Sequence, residues 1–224
     1  MTTRHRVVVF DLDDTLYKER DYLLSAYREI GAYIAQTFGK EDLWSQMLAY
    51  YDAGVADVFG TLITAYDLPV DKDTLIRRYR EHRPRLQLSA DTKAVLDGLQ
   101  NDRRIELAMI TDGRSLTQRH KVEALGLYRY FKETHVLISE EHGHAKPDSY
   151  AYQQVERLFP GAAYVYVGDN PAKDFVAPNR LGWDTVCLLD DGRNIHPQDF
   201  QVDAAYLPGY RIENIRELLK YKLT

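Results

Sequence analysis

The sequence predicts an α/β protein with a doubly wound parallel sheet and a small inserted α-helical domain. Short apolar runs rich in β-branched residues alternate with helical patterns along most of the chain, and one long stretch after the first run contains helical patterns alone. The runs are continuously apolar, which is typical of strands that are covered on both faces of a parallel sheet.

The strands and the helices between them follow from local patterns. The strand-like runs cover 6–10, 105–110, 135–138, 163–167 and 185–189. A first helix is predicted over 116–125, with Ser115 as its N-cap. A second is predicted over 150–158, with Lys146-Pro147 at its opening because proline suits a first helical turn. A third is predicted over 171–181, ending at a glycine.

One stretch, 17–88, breaks the alternation. Its apolar residues between Tyr22 and Ile34 follow the spacing of an amphipathic helix. Further helices are predicted over 41–51, 55–65 and 72–81. Because the stretch follows the first strand directly, we interpret it as a helical domain, 17–88, inserted into a sheet domain formed by 1–16 and 89–224.

Composition excludes several classes of protein. Of 224 residues, 45% are hydrophobic, and 29 basic residues against 34 acidic ones give a net charge of −5, so a nucleic-acid partner is not expected. The single cysteine, Cys187, excludes an intrachain disulfide. No apolar run approaches the roughly 18 residues of a membrane span or forms a signal-peptide core. We expect a cytoplasmic protein, monomeric or homodimeric, with no membrane partner.

Two carboxylates follow the first predicted strand. Asp11 and Asp13 are two residues apart in an extended chain, so their side chains point the same way. Neighbouring carboxylates repel each other, which implies a bound cation or a shared proton. Taken alone, the pair fits a polar turn with solvated acids equally well.

Further polar residues follow the later strands. Thr111-Asp112-Gly113 ends one strand ahead of a helix, an arrangement that suits an anion. Lys146 lies where it can reach a phosphate as a point charge. Asp169 ends another strand, and Asp174 lies five residues further on. In this architecture ligands bind beyond the carboxyl ends of the strands, so we expect all these side chains at one site.

In this order, these residues resemble the four motifs of the haloacid dehalogenase-like (HAD) superfamily. The motifs are Asp11-Leu12-Asp13-Asp14-Thr15, then Thr111, then Lys146, then Gly168-Asp169 with Asp174. The resemblance covers nearly the whole chain, and it implies a Rossmann-like core with the inserted helices as a mobile cap. Asp112 departs from the pattern, since asparagine is more usual there and an aspartate adds negative charge near the phosphate.

The resemblance implies a phosphatase mechanism. Asp11 would attack phosphorus and form an aspartyl-phosphate, and Asp13 would act as general acid and then general base. Thr111 would hold the phosphoryl oxygens with the N–H groups of Asp112 and Gly113. Lys146 would neutralise charge between nucleophile and phosphate.

The resemblance also implies a Mg²⁺ cofactor. Its ligands would be Asp169, the Asp11 carboxylate and the Asp13 backbone carbonyl, with Asp174 as a further ligand or as an acid that supports the others. Charge supports a cation independently, because four carboxylates and a phosphate would face only the single positive charge of Lys146.

The expected activity is hydrolysis of a small phosphate monoester, such as a sugar phosphate or a nucleoside monophosphate. The second acid, Asp13, disfavours a dehalogenase, because the dehalogenases of the superfamily lack it. A phosphomutase uses the same motifs and stays an alternative, as does a non-catalytic module that binds a phosphate ligand. The residues at the start of the first inserted helix either face the leaving group or form a solvated helix entry. They are Tyr17, Lys18, Arg20 and Tyr22.

Overall fold

The computed structural model describes residues 5–220 and contains a six-stranded parallel sheet. The strands are β1 (Arg6–Phe10), β2 (Ile105–Thr111), β3 (Val136–Ile138), β4 (Ala163–Gly168), β5 (Asp184–Leu188) and β6 (Tyr210–Ile212). Their order across the sheet is β3-β2-β1-β4-β5-β6, and every neighbouring pair is parallel. The predicted fold class is confirmed.

The central strand β1 is buried on both faces. Val8 and Phe10 pack into the apolar layer on one side of the sheet, and Val7 and Val9 pack into the layer on the other. This alternation explains why the strand reads as a continuous apolar run. It also places the carboxyl end of β1 between those of β2 and β4, since both pair with it in register.

The helices connect the strands and cover the sheet. They are α1 (Glu19–Phe38), α2 (Leu43–Asp52), α3 (Val58–Tyr66), α4 (Lys72–Glu81), α5 (Ala90–Asn101), α6 (Ser115–Ala124), α7 (Ser139–His142), α8 (Tyr150–Leu158) and α9 (Val176–Arg180). Short 3₁₀ turns lie at Leu127–Arg129, Glu133–His135, Ala204–Tyr206 and Ile215–Leu219.

The four helices α1–α4 lie between β1 and β2 and share their own apolar cluster, which includes Ile30, Met47 and Leu75. We propose that they form the inserted cap. The division at 17 and 88 stays a prediction, and residues 1–4 and 221–224 of the predicted core lie outside the described residues.

Several local predictions need correction. Ser115 is the first residue of α6, and Arg114 occupies the N-cap position without a capping hydrogen bond from its side chain. The Ser115 hydroxyl instead donates to Glu141 Oε1 at 2.6 Å. Pro147 does not open α8, which begins at Tyr150. The third helix is short, since 171–175 form turns before α9.

Three elements, α5, α7 and β6, carry no clear sequence signal and were not predicted. Helix α5 lies just after the stretch read as inserted, and β6 has only three residues, of which Ile212 alone is buried. Among residues 5–220, no helix is both long and apolar enough to span a membrane. The cytoplasmic location and the oligomeric state stay predictions.

Candidate active site

The carboxyl ends of three neighbouring strands bring the predicted residues together. Asp11 follows β1, Thr111 ends β2 and Asp169 follows β4. They line a cavity of about 210 Å³ at this edge of the sheet. The other residues lining the cavity are Asp13, Asp14, Glu19, Asp112, Asn170, Lys173 and His196. The register of the strands therefore brings these side chains together at one edge of the sheet, as the sequence pattern predicted.

Lys146 is buried and paired with two acids. Its Nζ lies 2.9 Å from Asp11 Oδ1 and 2.7 Å from Asp174 Oδ1, and it donates to Tyr166 Oη at 3.1 Å. Burial lowers the pKa of Lys146, but Asp11 and Asp174 outweigh it, and the pKa lies well above its ordinary value. The lysine is therefore a fixed positive charge beside Asp11.

Asp174 organises the turn after β4. Its Oδ1 accepts from Lys146, and its Oδ2 accepts the backbone N–H groups of Asp169 at 3.1 Å and Asn170 at 2.8 Å. A Cβ at Gly168 would lie 2.6 Å from this Oδ2, so only glycine lets the strand approach the carboxylate. Both oxygens already have partners, which favours a supporting role for Asp174 over direct metal binding.

A cluster of buried carboxylates fits a cation. One oxygen from each of Asp11, Asp169 and Asp174 lies within 4.8 Å of the others. Burial and the nearby charges of Asp174 and Asp11 raise the pKa of Asp169 to about 9. Burial raises the pKa of Asp11 to about 6, because burial and the charge of Asp174 together outweigh the opposing effect of Lys146. Negative charge at this point thus exceeds what the lysine balances, and oxygen-only ligands suit Mg²⁺.

The side chain of Asp13 is held by neighbours outside this carboxylate cluster. Lys121 Nζ donates to its Oδ1 at 2.8 Å and its Oδ2 at 3.0 Å, Gln118 Nε2 donates to Oδ2 at 2.9 Å, and the Tyr17 hydroxyl donates to Oδ1 at 2.5 Å. Burial acts to raise the pKa of Asp13, but Lys121 and these hydrogen bonds outweigh it and lower the pKa. The side chain of Asp13 is therefore engaged by these neighbours, and the binding of a metal by its backbone carbonyl stays a prediction.

The anion site after β2 differs in one respect from the prediction. Thr111 is buried beside the cavity, and its Oγ1 accepts from Gln118 at 2.6 Å. The Gly113 N–H, which the prediction assigned to phosphate, instead donates to Ser139 Oγ at 3.0 Å. The Gly113 N–H therefore already has a partner in the structure, and its assignment to the phosphate stays a prediction.

The negative charge of Asp112 is balanced by Lys173, which was not among the predicted site residues. Asp112 Oδ1 accepts the Lys146 backbone N–H at 3.0 Å, and Asp112 Oδ2 accepts from Lys173 Nζ at 3.2 Å. Lys173 also lines the cavity. The expected excess of negative charge at Asp112 is thus compensated. Lys173 directly precedes Asp174 in the sequence, which is the signal that marks it.

The residues at the start of the inserted segment divide between the two interpretations. Tyr17 contacts Asp13, as described. Lys18 pairs with Asp191 at 3.1 Å, Arg20 pairs with Asp52 at 2.7 Å on the surface, and the Tyr22 hydroxyl donates to the Tyr79 carbonyl. Of these, only Tyr17 touches a predicted catalytic residue.

Other residues close the site from a loop that follows β5. Asn194 Nδ2 donates to Asp169 Oδ2 at 3.1 Å, and the Ile195 N–H donates to Asp14 Oδ2 at 2.9 Å. His196 lines the cavity itself. This loop has no strand or helix pattern in the sequence, so its position over the carboxylates could not be predicted.

Comparison with known proteins identifies the family. The model of the haloacid dehalogenase-like hydrolase family matches residues 5–182. The chain belongs to the haloacid dehalogenase-like hydrolases, so the resemblance seen in the four motifs is confirmed. It is an enzyme of the hydrolase class.

The matches with relatives and solved structures extend over nearly the whole chain. Glyceraldehyde 3-phosphate phosphatase of Methanocaldococcus jannaschii is 28% identical over 95% of this chain and 94% of its own length. A crystal structure of the Bacillus subtilis protein YfnB bound to magnesium has a TM-score of 0.68 at 22% identity, covering 97% of this chain and 98% of its own. A HAD phosphatase of Thermococcus onnurineus has a TM-score of 0.57 at 23% identity, covering 96% of each chain. The family and a relative named as a phosphatase support a phosphoric monoester hydrolase.

Proposed function

We propose that the protein is a magnesium-dependent phosphatase that hydrolyses a small phosphate monoester through an aspartyl-phosphate on Asp11. One observation carries this proposal: Asp11 lies in a polar cavity with Lys146 at 2.9 Å, and a second acid, Asp13, lines the same cavity. A nucleophile, a fixed positive charge and a separate acid are what transfer of a phosphoryl group to a carboxylate requires.

In the first half-reaction, an Asp11 oxygen attacks phosphorus and the bond from phosphorus to the leaving oxygen breaks. Lys146 holds Asp11 Oδ1, so we assign the attack to Oδ2. Asp13 donates a proton to the leaving oxygen. Asp13 is ionised in the free enzyme, and the phosphate dianion entering the cavity favours its neutral form because like charges repel.

In the second half-reaction, Asp13 accepts a proton from water, and the water oxygen attacks phosphorus. The bond between Asp11 and phosphorus breaks, which restores the carboxylate. Thr111 holds a phosphoryl oxygen throughout, and Lys146 keeps its positive charge beside Asp11, where it offsets the charge of the phosphate. Magnesium, held by Asp11, Asp169 and the Asp13 backbone carbonyl with Asp174 in support, would supply positive charge to the phosphoryl oxygens.

The substrate class is proposed to be sugar phosphates or nucleoside monophosphates. The cavity of about 210 Å³ favours a small leaving group. The relative from M. jannaschii is named for a triose phosphate, which supports the sugar phosphates. A β-phosphoglucomutase of Thermotoga maritima has a TM-score of 0.65 at 17% identity, but a likeness at that identity concerns the fold alone.

The test is phosphate release by the purified full chain on a panel of esters. The panel contains glyceraldehyde 3-phosphate, other sugar phosphates, nucleoside monophosphates and p-nitrophenyl phosphate, each with magnesium and with chelator. We expect magnesium-dependent phosphate release with no isomeric product. Asp11→Asn is expected to lower kcat at least about 10³-fold, because the nucleophile is lost.

Asp73→Asn serves as the matched control, since Asp73 is an exposed aspartate on α4. It should keep the activity of the wild type. Absence of turnover across the panel, or an Asp11→Asn variant as active as the wild type, contradicts the proposal. An isomeric product without free phosphate would indicate a phosphomutase.

A further inference from the structure

Helix α6 presents two buried polar side chains to Asp13 that none of the four motifs contains. Gln118 is 1% exposed and Lys121 is 3% exposed. They are three residues apart and so lie on one face of the helix. Burial of a polar or charged side chain is costly without a partner, and both side chains have Asp13 as theirs.

The amide of Gln118 links Asp13 to Thr111. Its Nε2 lies 2.9 Å from Asp13 Oδ2 and 2.6 Å from Thr111 Oγ1. An ionised carboxylate only accepts hydrogen bonds, so the amide nitrogen must face Asp13. The same NH₂ group then donates its second hydrogen to Thr111. The hydroxyl hydrogen of Thr111 is therefore left to be donated elsewhere, and Thr111 lines the cavity.

The glycine after Asp112 makes room for this amide. Gly113 has a φ of 138°, and a Cβ added there would lie 3.2 Å from both Cδ and Cγ of Gln118. That separation is tighter than ordinary contact. Gly113 was predicted to contribute its N–H to the phosphate site. In the structure, its missing side chain also lets Gln118 reach Thr111.

Lys121 has further contacts on the helix that begins the inserted segment. Its Nζ lies 4.5 Å from the centre of the Tyr22 ring and 3.7 Å from Glu19 Oε1. These contacts enclose the ammonium group, whose shortest contacts are to the two oxygens of Asp13. Lys121 thereby connects the Asp13 carboxyl with α1.

Building on the proposed phosphatase function, we propose that Gln118 and Lys121 are positioning residues for its reaction. Lys121 fixes the Asp13 carboxyl for proton transfer to the leaving oxygen. Gln118 fixes the same carboxyl and turns the Thr111 hydroxyl hydrogen toward a phosphoryl oxygen. The two residues thus couple the group that binds phosphate to the group that moves the proton.

A comparison of two substrates with different leaving groups distinguishes a positioning role of Lys121 from a purely structural one. An alkoxide is a strong base and needs a proton as it leaves, whereas p-nitrophenolate is a weak base and needs little help. In Lys121→Met, kcat/KM for an alkyl phosphate should fall by about 10²-fold, and kcat/KM for p-nitrophenyl phosphate should fall by less than about threefold. We use kcat/KM because it reports the first half-reaction, before water enters.

Gln118→Met should change the same ratio and also weaken inhibition by inorganic phosphate by about tenfold, because Thr111 loses its orientation. Lys121→Met should leave phosphate inhibition unchanged. Inorganic phosphate should inhibit the double variant Gln118→Met with Thr111→Val as strongly as it inhibits Thr111→Val alone. Both changes act on the same interaction, the one between the Thr111 hydroxyl and phosphate. Lys121→Arg keeps the charge and should partly restore turnover of the alkyl ester.

Lys132→Met is the control, because Lys132 is an exposed lysine that pairs with Glu106 at 3.8 Å. The proposal would be overturned if kcat/KM fell equally for the alkyl and the aryl ester in both Lys121→Met and Gln118→Met. If Lys121→Met does not fold, Gln118→Met and Lys121→Arg decide the matter. A wild-type chain without phosphatase activity would instead contradict the function on which this inference rests.

Discussion

At the scale of single residues, Lys146 offsets part of the negative charge of the site. It is the cation in direct contact with both Asp11 and Asp174, and all three side chains are buried. A lysine taken out of water is costly unless it is paired, and so is each carboxylate. The same contacts that keep Lys146 charged therefore also make burial of the acids possible.

Lys146→Met should lose both activity and stability. The substitution leaves Asp11 and Asp174 buried without their cation, so we expect the free energy of unfolding to fall by about 3–5 kcal/mol. Urea denaturation followed by circular dichroism measures the change. Phosphate release on the best substrate of the panel should fall in the same variant.

Lys93→Met provides the comparison, since Lys93 is exposed on α5. Its free energy of unfolding should stay within about 0.5 kcal/mol of that of the wild type. A Lys146→Met variant as stable as Lys93→Met would show that the buried pairs do not stabilise the fold.

At the scale of secondary-structure elements, the predictions held where a pattern has a direct physical cause. The burial of β1 on both faces dictates a continuous apolar run, and the parallel order brings Asp11, Thr111 and Asp169 to one edge. Both could be predicted from the sequence. Helix α8 also matches its predicted range, 150–158.

What could not be predicted depends on contacts distant in the sequence. Gln118 and Lys121 read as ordinary polar residues of a helix, and only the packing of α6 against Asp13 distinguishes them. Asn194 lies 25 positions from Asp169, in a loop with no periodic pattern. The Gly113 N–H donates to Ser139 for the same reason: its partner lies 26 positions away, at the start of α7.

At the scale of the whole molecule, the excess of acids at the site links stability to pH. The pKa of Asp11 is raised to about 6 and that of Asp169 to about 9, whereas both lie near 4 in an unfolded chain. The folded, metal-free protein therefore binds more protons than the unfolded chain between these values. Its stability should fall as the pH rises from about 4 to about 9.

Magnesium should reverse this trend, since it binds the deprotonated carboxylates. We expect the increase in Tm on adding magnesium chloride to be larger at about pH 9 than at about pH 5. Thermal unfolding at constant ionic strength measures it. In Asp169→Asn the increase should be small at both pH values, and an equal increase at both pH values in the wild type would contradict the assignment.

The central claim is that phosphoryl transfer passes through Asp11, and trapping of the intermediate tests it most directly. The full chain is mixed with substrate and magnesium, quenched in acid during turnover, digested and analysed by mass spectrometry. The account predicts that the peptide containing Asp11 gains one phosphoryl group and that the same peptide from Asp11→Asn gains none. Turnover with no phosphoryl group on that peptide, or with the group on another residue, would contradict the account.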